Sequence, residues 1–271
     1  MEIAGYIASA LIGLSLGLIG GGGSILTVPV LVYLFKVAPA LATSYSLFVV
    51  GSSSLVGAWI NYRKRLVSIK TALLFGMSSI VTVFLTRKFI IPLIPEKIAH
   101  IKEFAITESL LIMVLFATLM LAASISMITN KAKDKTDILD KTDTIPESRI
   151  SLPGLFLNGV AIGLVTGLLG AGGGFLLIPS LVLFVKLPMK EAIGTSLLII
   201  ALNSLIGFTG DLGHYNIDWG LLIKITFLAI SGIFVGGVLG RKITGEKLKK
   251  GFGWFVLVMA VYILVKEVLF A

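Results

Sequence analysis

The chain has no cysteine and only two histidines, His100 and His214. Disulfides and thiolate metal sites are therefore excluded, and a metal cluster or a nucleophile–base set has little to be built from. No metal and no cofactor is expected, and a membrane-embedded enzyme is poorly supported. Charge is scarce as well. Of 271 residues only 14% are charged, with 14 Asp and Glu against 23 Lys and Arg. What fills the sequence instead is apolar: 56% of residues are hydrophobic and the mean hydropathy is +1.03. A bilayer-spanning helix needs about 20 apolar residues, and several runs approach that length. In such a chain the net charge of +9 is read as basic cytoplasmic loops. The lipid bilayer is then the expected partner, nucleic acid is not, and the expected location is the cell membrane. Glu2 stands where a signal peptide would carry basic residues, so no cleavable signal is expected.

The apolar segments cover roughly residues 3–19, 24–36, 40–60, 67–86, 104–129, 151–169, 175–187, 191–210, 218–240 and 252–270. They predict an all-α polytopic membrane protein. The stretch "NKAKDKTDILDKTDTIPESRI" is charged, Thr-rich and without aromatics. Its composition cannot bury a core, so residues 131–149 are read as a mobile cytoplasmic linker between 1–130 and 150–271.

The two sides of that linker carry one pattern. Residues 13–57 begin "GLSLGLIGGGGSILTVPVLVYLFK" and residues 163–207 begin "GLVTGLLGAGGGFLLIPSLVLFVK". At an offset of 150 residues, without a gap, 18 of 45 positions are identical. Gly13, Gly17, Gly20, Gly22, Gly23, Pro29, Lys36, Ser46 and Gly57 align with Gly163, Gly167, Gly170, Gly172, Gly173, Pro179, Lys186, Ser196 and Gly207. Shared hydrophobicity would align Leu with Leu; it would not hold glycines, a proline and a lysine in register. Internal repeats of this kind are a hallmark of transporters.

Loop charge gives orientation. "NYRKRLVSIK" (61–70) has four basic residues and no acid, whereas its counterpart "DLGHYNID" (211–218) has no Lys or Arg. "RKITGEKLKK" (241–250) has five basic residues and one acid and is expected to be cytoplasmic. These charges fit one topology if each glycine segment is a hairpin with no net crossing, followed by three spans. Three crossings is odd, so the halves are expected to be inverted repeats. The loop expected over 87–103, with Arg87, Lys88, Lys97 and Lys102, sits on the wrong side of this scheme.

Glycine is a poor helix former, by roughly 1 kcal/mol against Ala. Gly20–Gly23 and Gly170–Gly174, interrupted by Ala171, therefore mark bends rather than helix interiors. Irregular backbone at membrane depth survives only inside protein or beside a cavity. A bend there exposes N–H groups, and the helix that starts at it turns its positive end toward it. The expected site is thus a binding place for a small anion, formed by Gly20, Gly21, Gly22, Gly23, Ser24, Gly170, Gly172, Gly173 and Gly174. Ser46, Thr195 and Ser196 start the following helices and supply hydroxyls, either to an anion or to their own helix carbonyls. Asn203 is a costly polar group in mid-span and reads as lining. Gly13, Gly17, Gly163 and Gly167 have the spacing of close helix packing instead. Lys36 and Lys186 either attract anions or serve helix C-termini. Glu108, Asp211 and His214 are the ionisable groups in or near spans, and are candidates for proton coupling. No catalytic residue is assigned.

"GLIGGGGSILTVPVL" and "GLLGAGGGFLLIPSL", followed by "ATSYS" and "IGTSL", resemble the sulfite exporter TauE/SafE family, as does "GHYNIDW" with its downstream "GGVLGRKI". The resemblance covers both halves without the linker. It implies a secondary transporter for small sulfur-containing anions such as sulfite, thiosulfate or organosulfonates. The alternatives are a carrier for a different small anion and a non-transporting scaffold or assembly subunit, although a scaffold has no need of broken helices. Because the linker lies outside the repeat, replacing residues 131–148 by a Gly/Ser tether long enough to span the gap should leave transport nearly intact. Loss of transport in a well-folded deletion would show the linker to be a working part.

Overall fold

The computed structural model describes residues 2–93, 97–101, 104–129, 152–183, 185–239 and 245–269, and the linker expected over 131–149 lies outside them. α1 (Glu2–Ile19) ends at a short 3₁₀ segment (Gly21–Leu26) that leads into α2 (Thr27–Tyr33). α3 (Pro39–Arg63) follows, with proline at its first turn, where the missing N–H costs nothing. α4 (Ile69–Leu85) continues through a π-helical segment (Thr86–Ile90) into the short α5 (Ile91–Leu93). After the linker come α7 (Leu152–Leu169), α8 (Gly174–Leu183), α9 (Met189–Asp211), α10 (Trp219–Leu239) and α11 (Gly245–Leu269). Preceding the linker is α6 (Glu108–Thr129).

Four of these stretches, Pro39–Arg63, Ile69–Leu93, Met189–Asp211 and Trp219–Leu239, are long and apolar enough to cross a membrane. Among the described residues the regular structure is helical apart from one antiparallel hairpin, β1 (Lys97–Ile101) with β2 (Phe104–Thr107). The helix after 67–86 thus runs further than the sequence suggested. Residues 87–93, expected in a loop, are helical, and residues 104–107, expected in a helix, are a strand.

The first glycine segment is a hairpin. A Cβ placed on Gly23 would lie 2.2 Å from Ser15 Oγ, so the chain folds back on α1. At the far end Phe35 returns to the start of α1, its ring edge-on to Tyr6 at 5.4 Å. The second segment matches the first at its two ends, while between them it differs: Gly173 has a positive φ (65°) that Gly23 lacks, and the second arm is α-helical from Gly174 where the first is 3₁₀ to Leu26. Gly20 and Gly170 both adopt positive φ (76° and 66°), and both donate their N–H to a carbonyl four residues back, Leu16 and Thr166, at 2.9 Å. Lys36 and Lys186 share φ near +57° (56° and 58°), and the next N–H of each, Val37 and Leu187, bonds back to Leu31 and Leu181. That is the helix C-terminal motif with a left-handed residue. Both lysines are exposed at helix ends, away from the buried bends.

Packing is reciprocal under the 150-residue offset. α1 lies along α10, and its counterpart α7 lies along α4, the counterpart of α10. α3 and α9 pack on one another. α6 packs on α11. Two apolar cores result, and each mixes the two halves of the sequence. One is built from α1, α2, α3, α6, α10 and α11, with Leu169, Ala171 and Phe208 reaching in. The other is built on α4, α7, α8 and α9, and includes Val50 of α3. Leu73, Leu74, Met77 and Val81 on α4, and Phe227, Phe234, Val235 and Val238 on α10, are exposed. These outward apolar rows belong against lipid acyl chains.

Small residues set the α1–α10 distance. A Cβ on Gly13 would stand 1.8 Å from the Ala229 carbonyl oxygen, and one on Gly17 would stand 2.6 Å from that of Ile233. Across the repeat, a Cβ on Gly163 would stand 2.6 Å from the Ser79 carbonyl oxygen. Close approach of helices through small residues is the usual mode in membranes. Gly13→Ala should therefore force α1 off α10 and cost about 1–3 kcal/mol, the range for overpacking. Gly237→Ala, where a Cβ meets nothing within 4 Å, should be neutral. Thermal unfolding of both variants in detergent measures the difference; equal melting temperatures would refute the packing account.

Candidate functional site

The two glycine bends meet. A Cβ on Gly21 would lie 2.4 Å from Cα of Gly174, and one on Gly174 would lie 2.3 Å from Cα of Gly21. Only hydrogen fits at either position. Gly20 abuts Ile193 and Ile178, and Gly170 lies against the backbone of Thr43, whose carbonyl oxygen would be 2.2 Å from an added Cβ. Each bend is thereby covered by the start of the long helix of the other half. The first N–H groups of a helix have no acceptor within it, so the amides opening the 3₁₀ segment and α8 are turned into this contact region. For α8, the N–H groups of Leu176 and Leu177 both bond to the Gly173 carbonyl at 3.0 Å, which leaves the earlier amides to the bend.

The hydroxyls expected around the bends divide into two groups. Ser24 Oγ donates to the Gly21 carbonyl at 2.8 Å and Ser196 Oγ to the Ile193 carbonyl at 2.9 Å, so both bond their own backbone. Thr195 Oγ1 accepts the backbone N–H of Ser68 at 3.0 Å and is tied to the start of α4. Ser46 is fully buried, and its Oγ has no hydrogen-bond partner among the described residues. It lies one helical turn beyond Thr43, on the same side of α3. Ser204 Oγ, likewise unpartnered, would be 3.3 Å from a Cβ on Gly172. Thr166 Oγ1, also without a partner, would be 2.1 Å from a Cβ on Gly173. Asn203 accepts a bond from Ser79 Oγ at 3.0 Å through Oδ1, while its Nδ2 is unpartnered. Buried polar groups without partners are uncommon in folded proteins, and each calls for a reason. Several of them beside two backbone bends make a polar lining in an otherwise apolar interior.

A charged pair that the sequence reading did not join lies at the edge of this lining. Arg87, in the π-helical segment, is fully buried (0% exposed), and its Nη1 donates to Asp211 Oδ2 at 3.2 Å and to Thr43 Oγ1 at 2.9 Å. Among the described residues this is the one ion pair. Space for the arginine comes from α9, where Gly210 and Gly207 pass its Cβ and Cγ. Thr43 links the pair to the bend, because the same residue's backbone covers Gly170. The sequence did hold a signal. "VTVFLTRKFIIPL" is apolar on both sides of Arg87, and "GFTGDLG" places an acid after glycines at the end of another span. A charge inside a span calls for a named partner. Of the other ionisable candidates, His214 follows α9 in a turn, and the side chain of Glu108 lies outside the described residues.

Comparison with known proteins finds membrane transporters along most of the chain. The sulfite exporter TauE/SafE family matches residues 6–263. A probable membrane transporter protein of Xylella fastidiosa is 26% identical over 264 residues, covering 95% of this chain and 92% of that protein. A probable membrane transporter protein of Bacillus subtilis is 25% identical over 226 residues, 83% of this chain and 85% of its own. One from Methanocaldococcus jannaschii is 34% identical over 122 residues, 43% of this chain and 46% of its own. No solved structure matches the chain. With nearly its whole length matched, and with four helices fit to span a bilayer, the chain is a multi-pass membrane protein that belongs to the sulfite exporter TauE/SafE family of membrane transporters.

Proposed function

We propose that the protein is a secondary carrier for a small sulfur-containing anion of the sulfite, thiosulfate or organosulfonate class. The observation that carries this reading is the backbone contact of Gly21 with Gly174, set among buried and unpartnered polar groups. Backbone amides and hydroxyls at two helix starts suit an anion. Sulfur as the substrate's central atom rests on the family resemblance.

In this proposal the repeats are inverted and the two mixed cores, rather than the two sequence halves, are the bodies that move. α1 cannot leave α10, nor α7 leave α4, without unpacking interfaces where a methyl group does not fit. The bends lie where the cores join, the 3₁₀ segment with the first core and α8 with the second. Parting the cores on one side would open Gly21 and Gly174 to an anion; parting them on the other would release it. Ser46, Ser196, Thr195 and Asn203 are then residues beside that path.

Two measurements test this. The native chain has no cysteine, so single cysteines at Ser68 and Asp218, which open the matched helices α4 and α10, report sidedness directly. Inverted repeats require that an impermeant thiol reagent reach them from opposite sides of the membrane; labelling from one side would refute the inversion. Binding is tested with Gly22→Val, since a side chain at Gly173 would also meet a positive φ of 65° and Thr166. Affinity for sulfite, thiosulfate or methanesulfonate should fall about tenfold or more, the equivalent of ~1.4 kcal/mol. A folded Gly22→Val protein that binds as tightly as the parent would place the site away from the bends.

A further inference from the structure

The guanidinium of Arg87 is half used. Its Nη1 holds Thr43 and Asp211, whereas Nε and Nη2 have no partner, in a side chain with no solvent exposure. Guanidinium donors left unbonded inside a protein are costly, because each forfeits its hydrogen bonds to water. Nε and Nη2 lie on one edge of the planar group and present two parallel N–H bonds. That fork matches two oxygens of one oxyanion and has no equivalent use for a spherical ion. Three further features converge there. The residue sits in a π-helical segment, a feature frequent at functional sites because the extra residue re-aims side chains. Glycines of α9 clear its stem. Thr43, its partner, lies on α3, which gives most of its core residues to the first core, and covers the Gly170 bend; Arg87 lies in the continuation of α4, whose core residues are in the second, and Asp211 ends α9, which gives residues to both.

We infer that the Nε–Nη2 edge of Arg87 is the charged receptor for the transported oxyanion, with Asp211 and Thr43 fixing the guanidinium through Nη1. This rests on the reading of the protein as an anion carrier and deepens it. The closed conformation hides the fork, and separation of the cores, which breaks the Thr43 bond, presents it beside the bend. Asp211 neutralises the arginine while no anion is bound, and the anion adds its charge on the opposite edge. Recognition then favours anions that offer two oxygens side by side, such as sulfite, sulfonates and carboxylates, over halides. Titratable neighbours of the pair are Tyr215 and His214, which follow α9 in the chain.

The test uses the purified full chain in detergent, with melting temperature followed against sodium sulfite, thiosulfate, methanesulfonate, acetate and chloride. The parent should be stabilised by at least one oxyanion at concentrations where chloride does nothing. Arg87→Lys keeps the charge and loses the fork, and should need about tenfold more of that oxyanion or worse. Arg87→Gln should show no shift. Asp211→Asn removes the resident counter-charge, so its oxyanion-induced shift should exceed the parent's, a gain that a purely structural ion pair would not produce. If Arg87→Lys responds like the parent, Arg87 is not the receptor and the anion-carrier reading stands alone. If acetate stabilises and the sulfur anions do not, the sulfur class is wrong while the receptor is upheld by loss of that response in Arg87→Gln. A parent that responds to no oxyanion overturns both. Should the arginine variants fail to fold, Asp211→Asn decides: a shift no larger than the parent's refutes the proposal.

Discussion

A helix broken inside hydrocarbon has to hide its freed backbone groups in protein, and this constraint shapes the whole molecule. Gly21 and Gly174 meet that need by lying on each other, and Gly170 meets it on the backbone of Thr43. Neither hairpin could be buried this way alone. Each needs the bend of the other repeat and the start of the other repeat's long helix. The interlocking follows. To bring both bends to one place, α1 runs along α10 and α7 along α4, and both pairs are drawn in by small residues. The cores are consequently mixed, and a cut at the linker would leave two pieces that each lack the surface covering its bend.

The parts of this arrangement that depend on backbone were legible in the sequence. Glycines cannot be exchanged for other residues where only hydrogen fits, so the bends left "GGGG" and "GAGGG" in register 150 residues apart. The same holds for Gly13, Gly17 and Gly163, whose spacing announced packing before any partner helix was known. Side-chain partnerships across the interior were not legible. Arg87 looked like loop because Lys88 follows it and Pro92 ends the run, and composition alone does not separate a charge at a membrane surface from one buried beside an acid 124 residues later. The π-helical turn leaves no residue signature of its own. The short hairpin after it reads as apolar sequence either way, since alternate residues of "FAIT" fit a helix turn as well as a strand.

The hydroxyls show a limit of a different kind. Ser46 and Ser196 occupy matched positions, yet Ser196 bonds the Ile193 carbonyl and Ser46 bonds nothing among the described residues. A serine in a helix always has its own backbone as a fallback acceptor, so sequence equivalence fixes where the oxygen stands and leaves open what it touches. Thr195 makes the same point, spending its oxygen on the first turn of α4.

Charge separates the two repeats more sharply than their backbones do. At the 150-residue offset Arg87 corresponds to Gly237 and Asp211 to Asn61, so among the described residues one repeat interface holds an ion pair whose matching positions in the other are uncharged. Taking two charges out of water costs several kcal/mol for each, which their mutual attraction only partly offsets unless the geometry is good. Two conformations of a protein that exchanges between them differ by only a few kcal/mol, so a modest net cost on one side is enough to bias them. In the proposed carrier, opening the cores beside Arg87 admits water and raises the local dielectric, which relieves the cost of the buried charges. Closing restores that cost and offsets it with the fit of glycine against backbone. Matched hairpins would by themselves make the two openings nearly equal in energy. In that proposal a single ion pair on one side is enough to make them unequal, and so to give the paired hairpins a preferred resting state.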